Sequence, residues 1–149
     1  MDVIDVKILE VLQENSRVSI SELSKKVNLS LSAVSERLKK LENSSIINKY
    51  TVILEPKLLG KDLSVLISIG LESTSQTKEF LEFVDSEPEI LECHYITGEY
   101  DYMLKVTTAN THTLEAIMNR IKSFHGIKRT QTNVILSTTK LCHSVAPEI

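Results

Sequence analysis

The 149-residue sequence predicts an α+β protein in two parts, a helix-turn-helix (winged-helix-like) domain followed by a ferredoxin-like βαββαβ domain. Three observations predict it. Apolar residues recur at helical spacing in the first third of the chain and at strand spacing only after it. Charge divides at the same place: residues 20–50 hold six bases against three acids, whereas residues 51–149 hold nine against thirteen. Between the two parts, Pro56 and Gly60 mark a turn-rich connection. The expected boundaries are 1–50 for the helical domain, 51–61 for a linker that includes a strand, 62–140 for the second domain and 141–149 for a tail.

In the helical part, Ile4, Ile8, Val11 and Leu12 recur on one face, and Asn15-Ser16 ends the segment. Val6 and Leu9 fall off that stripe, as a second packing side or as scattered surface apolars. Ser19-x-x-Glu22 is a capping box, in which each side chain satisfies a free N–H at a helix start, so a second helix runs over Ile20–Val27. Asn28 tolerates the left-handed conformation that ends it, Leu29 fills the turn, and Ser30 caps a third helix expected to bury Leu31, Val34, Leu38 and Leu41. At about 100° per residue, Ser32, Ser35, Glu36 and Lys39 then share one exposed polar face.

Helix, short helix, tight turn and polar-faced helix is the arrangement whose last member enters the DNA major groove. Ser30, Ser32, Ser35, Glu36 and Lys39 are the candidates for that contact, with Lys39, Lys40 and Lys49 able to neutralise phosphates. Arg37 flanks the buried stripe and reaches either a phosphate or an acid of its own domain. A helical hairpin with a merely solvated face has the same spacing.

Beyond the third helix, Ile46 to Leu54 is rich in β-formers and reads as a strand, either a wing or one shared with a partner. Leu63, Val65, Ile67, Ile69 and Leu71 alternate along the next strand, where Gly70 suggests a bulge. Phe80, Leu81 and Val84 give a helix over about 76–86, stopped by Pro88. Strands follow over 90–97 and 101–107, joined by Gly98-Glu99 as a two-residue hairpin turn. Asn110 caps a helix carrying Leu114, Ile117, Met118, Ile121 and Phe124, Gly126 stops it, and residues 127–139 form a long last strand. Such a sheet has one face bare, with Leu66, Met103 and Ile135 opposite the main apolar series. A partner sheet is expected to cover it, which makes a homodimer.

The residues at 5–15 (DVKILEVLQEN), 21–30 (SELSKKVNLS) and 34–42 (VSERLKKLE) resemble the DNA-binding half of the leucine- and asparagine-responsive regulators, the Lrp/AsnC family. Those at 97–106 (TGEYDYMLKV) and 126–132 (GIKRTQT) resemble its amino-acid-sensing half, the RAM domain. The resemblance runs from Asp2 to about Lys140. It implies a sequence-specific regulator that binds double-stranded DNA, forms dimers that assemble to octamers, and responds to an amino-acid effector held at the loop of Gly98, Glu99, Tyr100 and Asp101; the expected sheet brings Thr130 and Thr132 of the last strand beside that loop. Ser45 stands where the family usually has glycine, Asn28 replaces the glycine of the interhelical turn, and Glu99 replaces the usual aspartate.

Composition bears on the alternatives. A content of 42% hydrophobic and 25% charged residues supports a core, and a net charge of -3 means that any contact with nucleic acid is local. No run approaches the ~18 apolar residues of a membrane span and the start is acidic, so a cytoplasmic protein with no membrane partner is expected. Cys93-His94 and Cys142-His143, with His112 and His125, lack zinc spacing, and adjacent strand residues face opposite ways; no metal and no cofactor is expected. Phosphate-loop, GxSxG and HExxH motifs are missing, and Asp85, Glu87, Glu89 and Glu92 read as a solvated charge run rather than a catalytic one. A non-enzyme is expected. The alternative is a ferredoxin-like small-molecule module with a helical protein-interaction arm and no DNA binding.

Overall fold

Capping chemistry sets the limits of the three helices in the first unit, Met1–Ile53 with the segment from Lys140 onward, in a computed structural model that describes residues 1–148. Helix α1 (Val3–Glu14) starts at Asp2, whose carboxylate accepts the N–H groups of Ile4 and Asp5, while Asp5 accepts that of Asp2. Helix α2 (Ile20–Val27) carries the reciprocal Ser19–Glu22 box and ends at Asn28 in the left-handed region, φ 55°. Helix α3 (Leu31–Asn43) begins at Ser30, whose hydroxyl accepts the Ala33 N–H.

Ile8, Leu9, Leu23, Val27, Val34 and Leu41 form the core of this unit. Leu9 is therefore interior, not part of a second apolar side. Leu31, expected to be buried, is exposed, because the apolar cluster around Val34 and Leu41 does not extend to the first turn of α3. Near the carboxyl end of the unit, Gln13 on α1 donates to the Val145 carbonyl (2.7 Å) and the Ser144 hydroxyl (3.0 Å), so residues expected to form a separate tail lie on the first helix.

The expected strand over Ile46–Leu54 is not formed. Its β-formers have no neighbouring strand in the chain to hydrogen-bond with, and Val52, Ile53 and Leu54 are left exposed.

The second unit, Leu54–Thr139, contains β1 (Leu63–Leu71), α4 (Thr77–Ser86), β2 (Ile90–Tyr95), β3 (Tyr102–Thr108), α5 (Thr111–Ser123) and β4 (Ile127–Val134). The antiparallel sheet has the order β2-β3-β1-β4, as the ferredoxin-like arrangement requires. Alternation along β1 and β3 turns Val65, Ile67, Ile69, Tyr102, Leu104 and Val106 towards Phe80 and Val84 of α4 and Leu114, Ile117 and Ile121 of α5. The ladder shifts register between Gly70 and Leu71, the expected bulge.

Two boundaries differ from expectation. Strand β4 ends at Val134 rather than near Thr139, because its partner β1 begins at Leu63 and the last bond joins the Ile135 N–H to the Ser64 carbonyl. The hairpin between β2 and β3 is wider than two residues. Tyr95 pairs with Tyr102, and the Ile96 N–H donates to the Asp101 carbonyl (2.9 Å), which leaves Thr97–Tyr100 as the loop, with Gly98 at φ 119°. The bare face is also more polar than expected. Leu66 and Met103 lie there among Ser64, Ser68, Lys105, Thr107, Gln131 and Asn133.

Candidate DNA-binding face and effector loop

The left-handed turn at Asn28 and the Ser30 cap fix where α3 starts and therefore which residues face outwards. Ser32, Glu36, Lys39 and Lys40 are exposed and Ser35 half-buried, so most of the expected polar face is open to solvent. Ser30 is committed twice, as the helix cap and to the Ser32 hydroxyl at 3.1 Å. Lys49 is exposed beyond the helix, on a segment held back by a bond from the Tyr50 hydroxyl to Glu42 (3.1 Å).

Arg37 takes the intradomain alternative. One guanidinium nitrogen donates to Asp2 and to Asp5, each at 2.7 Å, tying α3 to the first turn of α1. Asp5 is almost wholly buried, so the pair joins an interior carboxylate to a half-exposed cation. The Asp2 carboxyl is held below its ordinary range, first by the Asp5 backbone N–H and then by Arg37, while the two carboxylates raise Arg37. Sequence reading missed this acid pair. The available signal was the pair of carboxylates that the Asp2–Asp5 capping box sets together at the start of α1, a concentration of negative charge that an arginine can join.

In the second unit, the loop Thr97–Tyr100 is fastened to the sheet by its own side chains. Asp101 accepts the Leu71 N–H at 2.7 Å and donates its own N–H to the Ile69 carbonyl at 2.9 Å. Glu99 pairs with Arg129 of β4 at 2.6 Å, and its carbonyl also accepts from that guanidinium. The guanidinium lies 4.7 Å from the centre of the Tyr100 ring, and the Tyr100 hydroxyl donates to Gln131 at 3.1 Å. Beside Asp101, a cleft of about 490 Å³ is lined by Leu71, Glu72, Ser73, Thr74, Thr77, Tyr95 and Tyr102.

Thr130 and Thr132 are not brought to this loop. Opposite Ile69 and Ile67 in the β1 ladder, they face the helices, and the Thr132 hydroxyl lies 4.0 Å from the Met118 sulfur. Arg129 and Gln131, which alternate with them along β4, occupy the bare face with the loop. Strand parity separates them, and sequence alone left the parity of β4 relative to the loop open.

Comparison with known proteins agrees with both halves. Residues 1–48 match a winged helix-turn-helix DNA-binding model, and residues 64–145 match the Lrp/AsnC ligand-binding domain. The chain belongs to the Lrp/AsnC family. It is a DNA-binding transcriptional regulator with the family's ligand-binding domain attached. Among the Lrp/AsnC relatives, the HTH-type transcriptional regulator FL11 of Pyrococcus furiosus is 33% identical, over 94% of this chain and 92% of that one. The leucine-responsive regulatory protein of Haemophilus influenzae is 35% identical, over 94% and 86%. A transcriptional regulator of Neisseria meningitidis, solved as an L-methionine complex, superposes with a TM-score of 0.93 at 33% identity, covering 97% of this chain and 96% of that one.

The acidic run that sequence left solvated is largely paired. Glu87 takes Arg120 through both oxygens at 2.7 Å, Glu89 takes Lys61 and the buried Thr108, and Glu92 takes Lys105 at 2.9 Å. Burial opposes ionisation of Glu89, but Lys61 and Thr108 outweigh it and leave its carboxyl below the ordinary range. These contacts hold α5 and the ends of β2 and β3 in place. Among the described residues no three His, Cys, Asp or Glu side chains converge as a metal site, and no helix is long and apolar enough to cross a membrane.

Proposed function

We propose that this regulator places Ser32, Ser35 and Lys39 in the major groove of double-stranded DNA and sets Lys40 and Lys49 against phosphates. Glu36 lies on the same face and selects among bases, as a carboxylate accepts from cytosine. Ser30 serves chiefly as the cap that aims the helix, and Arg37 holds α3 against α1. The observation that carries this reading is the exposed serine and lysine face of α3, set by the turn at Asn28 and the cap at Ser30.

The second unit takes an amino acid at the loop around Gly98, Glu99, Tyr100 and Asp101. An amino acid needs donors for its carboxylate and acceptors for its ammonium, and the loop with its neighbouring cleft offers both. Support comes from the matching ligand-binding domain and from the neighbour solved with L-methionine. The functional particle is at least a homodimer, formed by a second copy over the bare sheet face and along the unpartnered, β-forming residues Ile46–Leu54, and dimers assemble further towards octamers.

The test is a gel shift of the full chain on its own upstream DNA at several salt concentrations, repeated with each common amino acid. Retention that falls steeply with salt and a pattern altered by one or more amino acids are the expected results. Absence of retention on any duplex at low salt overturns the DNA reading.

A further inference from the structure

We propose that Arg129 is the receptor for the effector's carboxylate, and that Glu99 occupies it as an internal surrogate when no effector is bound. The proposal rests on the reading of the loop as an effector site and names the chemistry of that site.

Four observations carry it. Arg129 crosses the sheet where only glycine allows it: a Cβ on Gly70 would stand 2.8 Å from the Arg129 Cγ and 3.0 Å from its Nε. The guanidinium then lies over the Tyr100 ring at 4.7 Å, and Gln131 holds that ring through its hydroxyl at 3.1 Å. The cation is thus placed over an aromatic support, with Nε and the free Nη hydrogens left to donate. The third observation is what it holds: a carboxylate, at 2.6 Å, from a side chain that is 72% exposed. An ion pair so open to water is weak and readily exchanged, whereas a fork matched to a carboxylate recognises any carboxylate that arrives.

The fourth is the position of the surrogate. Glu99 sits at the tip of the Thr97–Tyr100 loop, while Asp101 at its base is bonded to β1 through both side chain and backbone. Exchange of the Glu99 carboxylate for that of a free amino acid, with release of the Glu99 carbonyl from the same guanidinium, frees the loop tip and leaves its root in place. No bond is made or broken in this exchange apart from hydrogen bonds and the ion pair. The ligand class is a free α-carboxylate, so an amine of the same side chain is not a ligand.

Binding of each common amino acid to the full chain by calorimetry, starting with L-methionine, tests this beside Glu99→Gln, Arg129→Met and Arg129→Lys. For an amino acid that binds the parent, Glu99→Gln is expected to tighten binding about two- to fivefold, the size of a lost exposed competitor. Arg129→Met is expected to weaken it on the order of tenfold to a hundredfold, the loss of a charge-assisted pair of bonds. Arg129→Lys, which keeps charge without the fork, falls between, and covers the case in which the methionine variant does not fold. The decarboxylated analogue of the bound amino acid is expected not to bind the parent. An amino acid that binds parent, Glu99→Gln and the Arg129 variants equally overturns the carboxylate assignment and leaves the effector reading intact. Failure of every amino acid to bind both the parent and Glu99→Gln overturns the two together.

Discussion

Replacing Ser45 with glycine is expected to stabilise the first unit. Ser45 has φ 59°, one of two non-glycine residues of the described chain in the left-handed region. An L-residue there carries roughly 1–2 kcal/mol of steric strain that glycine avoids. Against this, glycine gives the unfolded chain more freedom, worth about 0.5–1 kcal/mol. Nothing else is lost, because none of the bonds that end α3 uses the Ser45 side chain: the Ser44 N–H donates to Lys40, the Ser45 N–H to Glu42, the Ile47 N–H to Leu41 and the Ser44 hydroxyl to Leu41. The Ser45 side chain is exposed. The net gain is about 0.5–1 kcal/mol, a rise in melting temperature on the order of 5 °C for a unit of this size.

The other left-handed residue supplies the control. Asn28 has φ 55°, but asparagine tolerates that region, so Asn28→Gly is expected to gain no more than a few tenths of a kcal/mol. Urea unfolding followed by helical signal reads both, with the midpoint rising at unchanged slope for Ser45→Gly. Retention on DNA is expected to stay within about twofold, since the residue lies beyond the recognition face. A lower midpoint for Ser45→Gly, or an equal gain for Asn28→Gly, would show that the left-handed turn after α3 is not strained.

Lys40→Ala should weaken binding to every duplex alike and lower the salt slope by about one, while Ser35→Ala should change base preference; identical footprints and unchanged salt dependence in both would refute the assignment. Asp2 and Glu22 have carboxyls held below their ordinary values of 3.8 and 4.5, Asp2 first by the Asp5 N–H and Glu22 first by the Ser19 N–H. Their stabilisation is full above those values and lost as pH falls through the depressed ones, so the urea midpoint should drop below about pH 4, less so in Asp2→Asn; a midpoint that rises in acid contradicts this. Light scattering of the full chain at micromolar concentration should give at least a dimer, and Met103→Glu on the bare face should shift it towards monomer, whereas a folded monomeric parent rules the arrangement out. Asp101→Ala should abolish the amino-acid response while Asp101→Asn keeps it; a response that survives in Asp101→Ala at the same ligand concentration would make the residue dispensable.

How much could be read in advance follows from how local each cause is. The capping box at Ser19 and Glu22, the left-handed Asn28 and the Asn110 cap act within a few residues, so the sequence shows them directly. Alternation in β1 is equally local, and it placed Val65, Ile67 and Ile69 on the core face. The Ile46–Leu54 segment fails for the opposite reason: strand formers make a strand only beside another strand, and none lies next to them in the chain. The loop proposed for the effector was chosen by its motif, and its expected neighbours on β4 were assigned the wrong parity. The bulge after Gly70 resets the pairing of β1 with β4, and a shift of one residue exchanges Thr130 and Thr132 for Arg129 and Gln131.

That exchange changes how the loop works. With threonines beside it, Glu99 would have lacked its cation and stood free for a ligand's ammonium, while Asp101 would still have held the Leu71 N–H. With Arg129 there instead, the two are divided by role. Asp101 closes the base of the hairpin, taking the Leu71 N–H next to the bulge, and its loss leaves that donor unsatisfied at roughly 1–3 kcal/mol. Glu99 stands at the tip, held from outside by a cation that any other carboxylate can claim. A residue bonded into the sheet can fix the geometry of a site, but a contact that breaks on binding is what converts occupancy into movement. The longer arm of glutamate suits this position, because the pair forms with a partner thirty residues away on β4 without drawing the loop root off β1. On the effector-exchange proposal, the Glu99–Arg129 pair is the sensing element, and Asp101 is the fixed point against which it moves.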